Sequence, residues 1–154
     1  MKKLEVLVKE LETKIPAYEL INPQVSQGSV GWHIEHTLLT LNLIINAVKA
    51  SDPQKYKWTL NWKRTIISTL GIIPRGKVKA PKAVQPKENF NRETLQQHIA
   101  LAEEGLKSVN HLQADQYFTH PFFGDLNLKS TLRFLQIHTQ HHLAIINDII
   151  KSKS

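Results

Sequence analysis

Four long segments of this chain repeat their apolar residues at helical spacing, and none sustains the alternation of a strand. That period constrains the fold most, because a stripe spaced by 3.6 residues can be buried whole only on an α-helix. In the first segment Leu4, Val8, Leu11 and Ile15 share one face, and Pro16 stops the helix. Ser29 is placed to cap the second, VGWHIEHTLLTLNLIINAVKA, which runs towards Pro53. Asn91 can cap the third, whose stripe is Leu95, Ile99, Ala102, Leu106 and Val109. Asn127 or Ser130 starts the last, which ends near Ile150. The expectation is an all-α protein: one four-helix bundle domain over residues 1–154, with a long crossover between the second and third long helices.

Within that crossover NWKRTIISTLG reads as a short helix closed by Gly71 in the left-handed conformation. The following IIPRGKVKAPKAVQPKENFN carries Pro74, Pro81 and Pro86 and no helical period, so it reads as an extended loop, pinned by Ile72, Ile73, Val78 and Val84. A second piece, YFTHPFFGDLN, reads as irregular, with Phe122 and Phe123 packing under the start of the last helix.

The net charge of +7 is unevenly placed. Between Pro53 and Lys87 stand Lys55, Lys57, Lys63, Arg64, Arg75, Lys77, Lys79, Lys82 and Lys87, with no acidic residue. Such a run is ordinarily solvated surface; failing that, it attracts a small anion before it attracts nucleic acid. Only Tyr56, Trp58 and Trp62 interleave aromatics with it, and no recognition-helix motif is present. The absence of cysteine excludes disulfides, thiolate metal sites and cysteine nucleophiles together. Charges recur through MKKLEVLVKELETKI, so no signal-peptide core follows the two lysines, and no window is long and apolar enough to span a bilayer. The expectation is a cytoplasmic protein with no membrane partner.

The histidines carry the chemistry. With His138 at zero on a helical wheel, His142 falls at about 40°, Leu135 at about 60°, Ile145 at about −20° and Ile149 at about 20°. Arg133, Gln136, Gln140, Asn147 and Lys151 gather opposite. His138 and His142 therefore sit in the middle of the apolar stripe, four residues apart, where both rings can aim at one point. A lone histidine on such a face is ordinarily a core residue bonded to a neighbour. Two at this spacing are the pattern by which a helix offers two nitrogens to a zinc ion.

A catalytic zinc takes three protein ligands and keeps a position open. WHIEH on the second helix supplies two candidates, His33 and His36, both outside the polar arc of Glu35, Asn42, Asn46 and Lys49. His36 lines up with Trp32, Leu39, Leu43 and Ala47, whereas His33 lies beside Thr40 and Ile44. Helical geometry does not choose between them. His98 faces inward on the third helix, as a fourth ligand, a supporting partner or neither. His141 lies on the stripe margin, where a hydrogen bond or exposure is expected rather than ligation. His111 and His120 read as loop residues.

SVGWHIEH, HPFFGDLNLKSTLRFLQIHTQHHLAII and PRGKVKAPKAVQPKE together resemble the DinB-like superfamily, in an uncharacterised bacterial branch. The resemblance covers most of the chain and is most specific from His120 to Ile146. It implies a four-helix bundle with one divalent metal on three histidines, one early on the second helix and two at i,i+4 on the last. Those match His36, His138 and His142, and so choose His36; a histidine at position 33 departs from the commoner apolar residue.

The resemblance further implies a metal-dependent thiol S-transferase or hydrolase; imidazole ligands suit zinc first, with nickel or iron as alternatives. The other reading is a metal- or anion-binding stress-response protein without turnover. The basic loop would hold the carboxylates of an anionic thiol cosubstrate. No general base stands out among Glu35, Asp125 and Asp148, so no catalytic residue is assigned. Val30, Ile34, Leu38, Leu41 and Ile45 on the second helix offer a face for a homodimer as well as for the core.

Overall fold

All the expected helices form, and three of the four long ones begin at a side-chain cap followed by an apolar stripe. In the computed structural model, which describes residues 2–76, 80–87 and 90–152, α1 spans Lys2–Lys14, α2 Val30–Ala50, α3 Trp62–Leu70, α4 Arg92–Ser108 and α5 Leu128–Lys151. Ser29 caps α2 by accepting from the Trp32 amide, Asn61 caps α3 and Asn127 caps α5. Asn91 and Thr94 form a reciprocal capping box on α4. Gly71 closes α3 at φ 67°, a conformation glycine adopts without steric cost. Pro16 lies in a 3-10 turn that ends α1.

The four long helices form the bundle. α1 and α2 each pack on both α4 and α5, so α1 lies diagonally across from α2 and α4 from α5. The core is the expected one: Leu4, Val8, Leu11 and Ile15 from α1 and its turn meet Leu95, Ile99, Ala102 and Leu106 of α4 and Leu135, Ile145 and Ile149 of α5. Val30, Ile34, Leu38, Leu41 and Ile45 all belong to this core. Of the two uses expected for this α2 face, the core or a second copy, it is the core that these side chains fill.

The segment after α4 departs from expectation. Residues 117–127 are a β-hairpin, with β1 Tyr117–His120 paired antiparallel to β2 Gly124–Asn127. Four residues per strand are too few to show an alternating pattern against the background of helical stripes. Phe123 is buried, as expected, but Phe122 is 56% exposed. The inner place goes to His120 at the end of β1, which stacks on Phe123 at 4.2 Å and meets the Phe134 ring edge-on.

The crossover is pinned at Val84, which is buried, while Ile72 is exposed and Ile73 half-buried; Lys77, Val78 and Lys79 lie outside the described residues. α3 buries no side chain. It is tethered instead by Asn61 donating to the Phe122 carbonyl and Arg64 donating to the carbonyls of Phe123 and Asp125.

The start of α2 fixes the end of the bundle that matters below. The amides of Val30 and Gly31 have no partner within their own helix, and they donate to the carbonyls of Leu20 and Tyr18, each at 2.8 Å. This approach requires glycine at position 31. A Cβ there would lie 2.5 Å from a Phe90 ring carbon and 2.9 Å from the Tyr18 carbonyl oxygen. Gly31→Ala is therefore expected to cost about 1–3 kcal/mol of stability, read as a shifted midpoint in chemical denaturation.

Candidate metal centre

α2 and α5 bring three histidines to one point. Their ring nitrogens place His36, His138 and His142 within 4.8 Å of one another. The ring centroids lie 4.7 Å (His36–His142), 5.1 Å (His36–His138) and 4.6 Å (His138–His142) apart. His36 and His142 are buried, at 5% and 7% exposure, and His138 is half-buried.

The outer nitrogens decide what the inner ones can do. His36 donates from Nδ1 to the Val84 carbonyl at 2.8 Å. A carbonyl only accepts, so the proton sits on Nδ1 and Nε2 keeps its lone pair. Trp32 stacks on the same ring at 5.2 Å and covers it. His142 shares a hydrogen bond through Nδ1 with His33 Nδ1 at 2.9 Å, which again leaves Nε2 as the nitrogen without a hydrogen bond among the described residues. His138 makes no protein hydrogen bond among the described residues; its ring lies against Phe134.

Burial holds all three rings neutral. Desolvation lowers the pKa of His36, against a smaller opposite effect of its Val84 bond. It lowers His138 and His142 much further, with the neighbouring imidazoles adding to the effect. Metal ligation requires this neutral state. Three uncharged nitrogens in a desolvated setting, one of them with its tautomer set by a backbone carbonyl, fit a borderline divalent cation better than they fit a hard oxygen-seeking one.

The remaining histidines separate clearly. His33 is 4% exposed and uses both nitrogens, Nδ1 on His142 and Nε2 on Ser26 Oγ at 2.9 Å. It stands behind the cluster. His141 is half-buried on the margin of the stripe and meets the His142 ring edge-on at 5.0 Å, outside the cluster. His98 is paired with Glu35 at 2.8 Å between α4 and α2. Glu35 was expected on the polar arc of α2; it is 6% exposed instead, because α4 covers that side of the helix.

The three carboxylates considered as bases all have partners. Glu35 holds His98, Asp125 accepts from the Thr119 hydroxyl and the Lys57 amide, and Asp148 is bridged to Arg75 at 2.8 Å. Arg75 stands close enough to help depress the pKa of His33 and His141. Sequence reasoning missed the Val84 carbonyl and Ser26. A backbone carbonyl leaves no residue signature, and one serine in QVSQGS has no periodic context.

Residues 15–146 match the sequence profile of the DinB superfamily. The chain belongs to that superfamily. No curated protein and no solved structure matches it. The match agrees with the helical bundle, and together with the histidine cluster it is compatible with metal binding.

The buried imidazoles also set an acid limit. Desolvation lowers both His33 and His120 to about 4, whereas an unfolded imidazole titrates near 6.5. Below pH 6.5 the unfolded chain takes up protons that the folded chain refuses, so stability falls as pH drops from about 6.5 towards 4. Urea midpoints of the metal-free protein at pH 7, 6 and 5 should decline in that order. His120→Phe, which keeps a ring against Phe123, should flatten the decline.

Proposed function

We propose that this DinB superfamily member is a metal-dependent transferase or hydrolase of small molecules, with His36, His138 and His142 holding one divalent cation. The observation that carries the reading is the convergence of three neutral imidazoles, two of them with the outward nitrogen already hydrogen-bonded. Zinc is the first choice, with nickel or iron as alternatives, since three nitrogen ligands with room for a further group are a catalytic zinc pattern. Such a cation keeps its full charge and supplies acidification of a water or thiol that reaches it.

The chain's own residues do the rest. His36 and His142 present Nε2 inward, and Trp32 screens His36 from solvent. Arg75 carries its charge near the cluster in a half-exposed pair with Asp148. An anionic thiol cosubstrate would compete with Asp148 for that guanidinium and be drawn towards the histidines. A second reading, metal or anion binding without turnover as in a stress-response protein, is favoured by the carboxylates: Glu35, Asp125 and Asp148 are all engaged, so none of them stands free as a general base.

Protein purified without a metal-affinity tag should carry about one equivalent of divalent metal by elemental analysis. His36→Ala, His138→Ala and His142→Ala should each abolish it; full retention in all three folded variants would remove the triad. Arg75→Ala should raise the KM for anionic thiols several-fold while sparing kcat. An unchanged KM would end its role, and absence of turnover with thiols and electrophilic acceptors would leave the binding reading.

A further inference from the structure

His33 answers to no part of the reading above. It is a buried imidazole on α2, with one nitrogen on a candidate ligand of α5 and the other on Ser26 in the loop before α2. A neutral imidazole has one donor and one acceptor. Two Nδ1 atoms 2.9 Å apart must share a single proton, so the pair has two arrangements. In the first, His142 donates from Nδ1, His33 accepts at Nδ1, and His33 Nε2–H donates to Ser26 Oγ. In the second every bond is reversed: His33 donates to His142, and the Ser26 hydroxyl donates to His33 Nε2.

Ser26 accommodates either direction. Its oxygen already accepts the Gly28 amide at 3.1 Å, and a hydroxyl has a second lone pair and one proton to offer. A cation on His142 Nε2 removes the choice. The lone pair must then be on Nε2 and the proton on Nδ1, which permits only the first arrangement.

We infer that His33 is a positioning residue, which holds His142 in the Nδ1–H tautomer, and that occupation of the site sets the direction of the whole chain His142–His33–Ser26. This rests on the proposed triad. It also explains how a second histidine can stand on α2 without ligating: both its nitrogens are spent. Outer partners of metal-binding histidines are commonly carboxylates or backbone carbonyls. An imidazole there keeps the proton in place without adding negative charge, so the cation's charge stays undiminished for an anionic substrate.

The test uses the full chain with zinc. In zinc-loaded wild-type protein, long-range ¹H–¹⁵N spectra should show His142 protonated at Nδ1 and His33 at Nε2. His33→Leu should weaken zinc binding about 10–100-fold in chelator competition while keeping one-to-one stoichiometry. His33→Gln, whose amide can accept from His142 and donate to Ser26, should restore most of that loss. Protonation of His33 at Nδ1 in the zinc form would overturn the inference, as would unchanged zinc affinity in His33→Leu. Loss of stoichiometric zinc from His33→Leu with retention in His36→Ala would make His33 a ligand and overturn it too. If His142→Ala also keeps its zinc, the triad itself has failed and the inference fails with it. The wild-type spectra decide the matter even if a His33 variant does not fold.

Discussion

An imidazole can offer a lone pair only while its other nitrogen holds the proton, and the interior of a helical bundle has few groups able to keep it there. Helix carbonyls are committed to their own i→i+4 amides. An acceptor for a buried ring comes most readily from outside the regular helices or from another side chain. Both solutions occur here. The crossover delivers the Val84 carbonyl to His36, and α2 delivers His33 to His142. The position of the crossover on the bundle is therefore tied to the orientation of a ring that it never covers by helical packing.

Much of this was legible in the sequence, for reasons that differ by element. The stripes Leu4–Ile15 and Leu95–Val109 and the caps Ser29, Asn91 and Asn127 gave four helices because period and cap agreed. His138 and His142 were legible because α5 has a clear polar face against which their phase could be measured. α2 lacks that contrast. Its first half is buried on nearly every side, His33, Glu35, His36 and Thr37 included, so phase could not rank its two histidines. The hairpin was missed because short strands leave too few positions to establish a period. Glu35 misled because burial of a carboxylate depends on its pairing with His98, sixty-three positions away.

The acid-free basic run turns out to be divided in its uses. Lys55 pairs with Asp52, Arg64 binds hairpin carbonyls and Arg75 pairs with Asp148. Lys57, Lys63, Lys82 and Lys87 remain exposed. Positive charge beside desolvated imidazoles works in the same direction as burial, since both disfavour protonation. Arg75 adds to burial in this way at His33 and His141, whereas at His36, His138 and His142 burial is the main cause.

α3 has its own energetics. It is nine residues long, buries no side chain, and is held by surface hydrogen bonds from Asn61, Arg64 and Arg133. A helix this short is marginal alone, and each such bond contributes about 0.5–1.5 kcal/mol. Detachment of α3 accordingly costs far less than melting the bundle. Its amides should therefore exchange with solvent through sub-global opening, as a separate cooperative unit of low protection riding on a framework that stays closed.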